Sequence, residues 1–130
     1  MAEKPSKMDK QEITTLGDEA KVRDIPEDIM VMLRVKKGAE PGRGYQITKT
    51  PVSIGRDTLS NISINDTRMS RQHAALFFLP PDFYLKDLGS TNGTYVNNKR
   101  IKQATLKNGD LVRIGNTEFE FIVSEVPSGS

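Results

Sequence analysis

A small set of cationic, hydroxyl and amide side chains in this sequence could bind a ligand. In chain order these residues are Arg56, Ser70, Arg71, Thr91, Asn92 and Asn97. A guanidinium group matches two phosphate oxygens with parallel hydrogen bonds, and hydroxyls and amides can donate to the remaining oxygens or to a peptide main chain. No general base accompanies them. The set therefore indicates that the protein binds a phosphorylated ligand and does not turn it over.

Two catalytic interpretations are less consistent with the residues. Ser70 and His73 could be a nucleophile and its base, but the sequence has no G-x-S-x-G elbow and His73 opens a segment that reads as a strand. Phosphoryl transfer would need a glycine-rich phosphate loop with a lysine, and Gly42-Arg43-Gly44 is only a turn between two strands. We expect no enzyme activity.

The composition excludes several further classes of function. The chain of 130 residues has no cysteine and a single histidine, so it offers neither disulfides nor a multi-histidine or cysteine-ligated metal site. Its net charge of +2 is too mild for a nucleic-acid-binding surface. No stretch approaches the ~18 apolar residues of a membrane span, and Met1–Lys10 is too polar for a signal peptide. We expect a soluble, cytoplasmic protein that uses no metal and no cofactor and binds no nucleic acid or membrane.

The elements that must position the donors are short strands separated by turn signals. Eleven strand-like runs follow one another: Ile29–Lys36, Tyr45–Lys49, Val52–Gly55, Ile62–Ile64, His73–Leu79, Phe83–Asp87, Thr94–Asn97, Arg100–Ile101, Ala104–Leu106, Leu111–Gly115 and Glu118–Ser124. Many short strands at this spacing predict an all-β sandwich. Because loops gather at the two ends of such a sandwich, the polar loops are the expected location of function.

The predicted organisation is one domain with two tails. Residues 1–28 are rich in charge and lack a sustained apolar periodicity, so we interpret them as a flexible regulatory tail. The folded domain should cover residues 29–125, and residues 126–130 should form a short C-terminal tail.

The stretch GSTNGTYVN, residues 89–97, allows two interpretations. Asn92-Gly93 is typical of a tight turn, in which Gly93 supplies a backbone angle that other residues resist. Alternatively, Thr91 and Asn92 point their side chains at a ligand. The order of the motifs along the chain bears on this choice.

Three short motifs together resemble the signature of the forkhead-associated (FHA) domain, a phosphothreonine-binding module. Gly55-Arg56 is followed after thirteen residues by Ser70-Arg71-Gln72-His73, and after eighteen more by Asn92-Gly93. The resemblance covers about residues 31–123 and implies an eleven-stranded β-sandwich. It also implies phosphopeptide recognition in Ser/Thr kinase signalling, with a phosphothreonine-containing protein as partner.

The resemblance assigns roles to the phosphate-facing residues. Arg56, Ser70 and Thr91 match positions that contact the phosphate, and Arg71 stands where a basic residue often adds a further contact. By this comparison Gly93 serves the turn, while Thr91 belongs to the binding edge.

Further positions match residues that bind the peptide main chain or shape the loops. Asn92 corresponds to the residue that hydrogen-bonds the peptide main chain, and Asn97 is expected to be a second such residue. Gly55, His73 and Gly93 match positions that support the site without touching phosphate.

The N-terminal tail contains two adjacent phosphorylation candidates, Thr14 and Thr15, after Glu12. This arrangement loosely resembles the short actinobacterial FHA regulators, whose phosphorylated tail binds their own FHA domain. Those proteins regulate enzymes of central metabolism when unphosphorylated. Two alternatives stay open: the tail is inert, or the domain regulates a metabolic enzyme independently of partner phosphorylation.

Overall fold

The computed structural model describes residues 21–127, and every regular element in that range is a strand. The thirteen strands are β1 (Arg23–Asp24), β2 (Ile29–Lys37), β3 (Gly44–Ile47), β4 (Lys49–Thr50), β5 (Val52–Gly55), β6 (Ile62–Ser63), β7 (Ala74–Leu79), β8 (Asp82–Asp87), β9 (Thr94–Val96), β10 (Lys99–Ile101), β11 (Gln103–Leu106), β12 (Leu111–Ile114) and β13 (Thr117–Glu125). Each of the eleven predicted runs overlaps one of the strands β2, β3 and β5 to β13, in order. The two additional strands, β1 and β4, have only two residues each.

Two sheets form the sandwich. One has six strands in the order β10-β9-β12-β13-β2-β3, and the other has five in the order β11-β8-β7-β5-β6. Neighbouring strands are antiparallel except β5 and β6, which are parallel. The prediction of an all-β sandwich is confirmed.

The core lies between the sheets and follows from the period-2 pattern of the long strands. Phe119 and Phe121 of β13 are fully buried, while Glu118 and Glu120 alternate with them on the outer face. Strand β7 is buried over nearly its whole length, as its continuous apolar run requires. The ring of Phe83 on β8 meets Phe121 edge-on at 5.4 Å, so aromatic packing joins the two sheets.

The described chain pairs with the domain from Arg23 onward, six residues before the predicted start of the domain at residue 29. Arg23 and Asp24 pair with Thr50 and Lys49, and Ile25 packs against the core while its amide donates to the Thr48 carbonyl at 2.9 Å. A single apolar residue has no periodicity, so the boundary at residue 29 was placed too late. Residues 1–20, which include Thr14 and Thr15, and residues 128–130 lie outside the described range.

Loops at one end of the sandwich bring the predicted donors together. They are the β5–β6 loop (residues 56–61), the β6–β7 loop (residues 64–73) and the β8–β9 loop (residues 88–93). The first two belong to the five-stranded sheet, and the third crosses from that sheet to the six-stranded one.

Candidate functional site

The β5–β6 and β6–β7 loops are joined by their backbones. The Arg56 amide donates to the Ser70 carbonyl at 3.0 Å, and the Asp57 amide donates to the Arg71 carbonyl at 3.1 Å. Gly55 makes this approach possible, since a Cβ there would lie 2.1 Å from the Arg71 carbonyl oxygen. The glycine of the Gly-Arg motif therefore sets the distance between the two arginine-bearing loops.

Arg56 is fixed in orientation while most of its donors remain available. Its Nε donates to the Met69 carbonyl at 3.1 Å. Within residues 21–127, neither its two terminal nitrogens nor the guanidinium of Arg71 has a hydrogen-bond or salt-bridge partner. Two cations that are unpaired in this range thus lie on adjoining loops, and a dianion can receive several charge-assisted hydrogen bonds from groups of this kind.

His73 connects the arginine loops to the β8–β9 loop. Its side chain is fully buried, its Nδ1 accepts from the Ser70 amide at 2.9 Å, and its Nε2 lies 2.9 Å from the Gly93 carbonyl. A backbone amide can only donate, so Nδ1 carries no hydrogen and Nε2 donates to Gly93. Both ring nitrogens are therefore engaged in contacts that hold the two loops together.

Ser70 and Thr91 meet across the site. The Thr91 amide donates to Ser70 Oγ at 3.1 Å, so the serine oxygen holds the β8–β9 loop while its own hydrogen remains available to a ligand. The hydroxyl of Thr91 has no partner among residues 21–127. Both hydroxyls can therefore donate to the same anion.

Asn92 is held by an arginine that we did not predict. Its Nδ2 donates to the Arg68 carbonyl at 2.7 Å, and Arg68 Nη2 donates to Asn92 Oδ1 at 3.3 Å. This reciprocal contact links the β6–β7 and β8–β9 loops through an amide that was expected to bind peptide. The two residues are 24 positions apart, and no local pattern indicates the contact.

Two aspartates that hold these loops were also not predicted from the sequence. Asp66 is 7% exposed, and it accepts hydrogen bonds from the Arg68 amide at 2.9 Å and from Thr117 Oγ1 at 2.7 Å. It thereby fastens the β6–β7 loop to the start of β13. Asp87 accepts from the Ser90 hydroxyl and amide and from Thr94 Oγ1 at 2.6 Å. Asp66 reads as an ordinary turn aspartate in the sequence and Asp87 as the last residue of a strand, so neither position indicated this role.

Asn97 lies apart from this cluster. It lies in the two-residue turn between β9 and β10, where Asn97 and Asn98 have φ angles of +50° and +70°. Its Nδ2 donates to Asp110 at 3.0 Å and its Oδ1 accepts from the Leu111 amide at 3.0 Å. The three residues of β9 separate it from the β8–β9 loop, and its amide holds the start of β12.

Comparison with known proteins assigns the chain to a family. Residues 52–115 match the family model described as FHA domain. An oxoglutarate dehydrogenase inhibitor of Corynebacterium jeikeium is 33% identical over 103 residues, which cover 79% of this chain and 71% of that protein. This chain belongs to the forkhead-associated (FHA) domain family.

Two further FHA proteins show how far the similarity extends. Glycogen accumulation regulator GarA of Mycolicibacterium smegmatis is 37% identical over 91 residues, which cover 70% of this chain and 58% of that protein. The chain thus spans less than two thirds of GarA. A solved FHA domain from work on phosphothreonine-dependent FHA interactions superposes with a TM-score of 0.65 at 36% identity, covering 75% of this chain and 98% of that one.

FHA domains bind phosphothreonine peptides, and the loops that carry the motifs of this FHA domain are the ones described above. Residues 21–127 contain no group of three or more His, Cys, Asp or Glu side chains that could hold a metal ion. None of the elements in the same range is a helix long and apolar enough to cross a membrane.

Replacing His73 with alanine should lower the melting temperature of this FHA domain and weaken ligand binding secondarily. The substitution leaves the Ser70 amide and the Gly93 carbonyl without partners inside the fold, at a cost of about 1–3 kcal/mol for each group. Thermal unfolding by circular dichroism measures the effect, and the exposed neighbour Gln72→Ala is the control. A His73→Ala protein that melts normally but binds no ligand would instead place His73 in contact with the ligand.

Protonation of Asp87 in acid should destabilise the fold at the β8–β9 loop. Burial raises the pKa of this carboxyl, but hydrogen bonds from Ser90, Thr94 and Gly89 outweigh it and hold the pKa below the ordinary 3.8. A depressed folded-state pKa gives stability that is present above pH 3.8 and is lost as the pH falls through the folded-state value.

Urea unfolding at a series of pH values tests this expectation. Asp87→Asn should flatten the acid limb of the stability profile, whereas Asp82→Asn, at the other end of the same strand, should leave it unchanged. An unaltered acid limb in Asp87→Asn would contradict the assignment.

Proposed function

We propose that this chain binds phosphothreonine peptides through Arg56, Ser70, Arg71, Thr91 and Asn92. The observation that supports the proposal most strongly is the state of Arg56, whose Nε is bonded to the Met69 carbonyl while its terminal nitrogens stay unpaired within residues 21–127. A guanidinium held in one orientation loses little side-chain entropy on binding. The phosphate would therefore meet donors that are already in place.

The site is proposed to bind its ligand without transforming it. The only histidine of the chain is His73, which is buried and uses both ring nitrogens for loop contacts. Asp66 and Asp87 accept several hydrogen bonds each and hold loops, so neither is free to act as a base toward a ligand. Recognition of a Ser/Thr kinase product fits this set of groups.

A pull-down from lysate, with bound proteins identified by mass spectrometry, tests the proposal. Wild-type protein and Arg56→Ala would each be used with and without phosphatase treatment of the lysate. We expect partners that disappear after either change. Partners that survive both would support the alternative, an FHA surface that regulates its target independently of phosphorylation.

An enzyme of central metabolism is the proposed target class. The support comes from relatives, which are named oxoglutarate dehydrogenase inhibitor and glycogen accumulation regulator. Because the chain spans only 58% of GarA, the comparison bears on the domain rather than on a whole regulator. The pull-down distinguishes this class from other phosphorylated proteins.

The N-terminal tail is the second proposed ligand. Thr14 and Thr15 precede a phosphothreonine-binding domain in the same chain, and phosphorylation adds about −1.5 to −2 charges and three acceptor oxygens. A phosphorylated tail would then occupy the Arg56 site and exclude other phosphopeptides. We favour Thr15, since Asp18 stands three residues after it, at a position that FHA domains commonly read.

Ser70→Ala and Thr91→Ala should each weaken phosphopeptide binding by about 1–2 kcal/mol, because each removes one donor to an ionised acceptor. Ser70→Ala should have the larger effect, since its oxygen also accepts the Thr91 amide hydrogen. Isothermal titration with a phosphothreonine peptide and its phosphoserine counterpart provides the measurement. We expect the phosphoserine peptide to bind less tightly, and equal affinities of the two peptides would contradict a pocket for the threonine methyl.

A further inference from the structure

A row of three side chains lies on the outer face of the six-stranded sheet, next to the β8–β9 loop. Tyr95 of β9 is directly opposite Arg100 of β10 on one side and Arg113 of β12 on the other. Residues directly opposite in neighbouring strands project from the same face. We call Arg100, Tyr95 and Arg113 the arginine–tyrosine row.

The row begins at the phosphopeptide loop itself. A Cβ added to Gly93 would lie 2.7 Å from Arg100 Nε, so the Arg100 side chain runs against the residue that follows Asn92. Further along the row, Arg113 Cζ lies 4.0 Å from the centre of the Tyr95 ring. Stacking on the ring fixes the plane of the Arg113 guanidinium and leaves its edge free to donate.

Neither guanidinium group makes a close contact with a carboxylate of the described residues. Within residues 21–127, neither Arg100 nor Arg113 has a side-chain hydrogen bond or salt bridge. Glu118 is the cross-strand neighbour of Arg113, yet the two form no salt bridge. Elsewhere on the surface such pairs do form: Arg43 meets Glu40 at 2.9 Å and Lys36 meets Glu120 at 3.7 Å. The row therefore presents two guanidinium groups whose donors are unpaired within the described range, close to the β8–β9 loop.

We propose that the arginine–tyrosine row binds an acidic side chain of the phosphothreonine ligand and so determines which phosphopeptides this protein prefers. The inference rests on the proposed function, since it needs the phosphothreonine to be seated near Arg56. Arg100 adjoins the loop that carries Thr91 and Asn92, so a ligand held by that loop passes within reach of the row. Aspartate or glutamate fits it, because a carboxylate takes two hydrogen bonds from a guanidinium fork.

Fluorescence anisotropy with a peptide set tests the row. Each peptide has one phosphothreonine and a neutral background, with a single glutamate placed at each flanking position in turn and the matching glutamine peptide as reference. We expect glutamate at one or two positions to tighten binding about fivefold over glutamine. Arg100→Gln or Arg113→Gln should remove that preference, and added salt should weaken it.

Arg34→Gln is the matched control. Arg34 projects from the same outer face on β2, three strands from β9 and about 14 Å away at normal strand spacing. This variant should keep the full preference for glutamate.

The possible outcomes separate the two proposals. If the phosphothreonine peptides bind in an Arg56-dependent manner but glutamate has no effect at any position, the role of the row is overturned and the proposed function stands. A preference that persists in both Arg100→Gln and Arg113→Gln also overturns it. If no phosphothreonine peptide binds, the proposed function fails as well.

Discussion

Arg56→Ala should reduce phosphopeptide affinity by about 2–4 kcal/mol, which is roughly a 30- to 1,000-fold increase in Kd. The substitution removes the positive charge and both terminal nitrogens of Arg56, which have no partner within residues 21–127 and are proposed to bind the phosphate. The fold should survive, since the only bond lost within the described chain is the one from Nε to the Met69 carbonyl. Isothermal titration with a phosphothreonine peptide measures the loss.

Two further variants make this experiment specific. Arg34→Ala removes an exposed arginine of β2, which belongs to the six-stranded sheet, whereas Arg56 follows β5 of the five-stranded sheet; this variant should leave affinity unchanged. Arg56→Lys keeps the charge but cannot both bond Met69 and offer a planar fork, so we expect an intermediate affinity. Unchanged affinity in Arg56→Ala, with a normal melting temperature, would exclude the proposed phosphate site.

Phosphorylation of the tail at Thr15 should lower the apparent affinity for external phosphopeptides by about a thousandfold. A tethered ligand has an effective concentration of order millimolar, so a self-affinity near ~1 μM favours the closed form by that factor. Competitors would lose about 4 kcal/mol of apparent binding free energy. The same modification at Thr14 should have a smaller effect, because Asp18 is then one position further from the phosphothreonine.

The attachment of β1 restricts how closure can occur. Arg23 is paired with Thr50, and Thr50 lies six residues before Arg56, or about 20 Å along an extended strand. Thr15 stands eight residues before Arg23, a length of chain that spans at most about 26–29 Å. The tail reaches the site only when it is extended to about three quarters of its maximum length, and losing four of its eight residues would leave too little chain to span the distance.

Amide chemical shifts report closure directly. Protein phosphorylated at Thr15 should show shifts around Ser70, Arg71, Thr91 and Asn92 that are absent in Arg56→Ala. Deleting four residues between Asp18 and Arg23 in the phosphorylated protein should restore the unphosphorylated spectrum. If those amides do not move and external phosphopeptides still bind at full strength, the tail does not act on its own domain.

The sequence predicted the strands well because the pattern that identifies them is local. In β13, Phe119 and Phe121 alternate with glutamates, and this period requires one buried face whatever the rest of the chain does. The Asn97-Asn98 turn was equally predictable, because both residues tolerate positive φ angles. Strand β1 could not be predicted, since its pairing with β4 depends on a contact 27 positions away, between Arg23 and Thr50.

The residues of the candidate site likewise fall into two groups: those that a local pattern identifies and those that only the folded structure identifies. The motif residues around Arg56, Ser70 and Asn92 could be named from their order and spacing. Arg68 and Asp66 could not, because their roles arise from contacts with Asn92 and Thr117 that exist only after the two sheets have packed. Asn97 was included because it follows the motif closely in the sequence, although the three residues of β9 separate it from the β8–β9 loop in the structure.

The position of the site at the edge between the two sheets has a mechanical consequence. Arg56 and Ser70 are anchored in the five-stranded sheet, whereas Thr91 and Asn92 lead directly into β9 of the six-stranded sheet. In the free protein, bonds such as the one from Thr94 Oγ1 to Asp87 hold these layers together at this edge. A bound phosphate would connect the two layers. Separating them would then require additional free energy, which increases with the occupancy of the site. The mechanical stability of the contact between the two sheets would then depend on whether a kinase had phosphorylated the ligand.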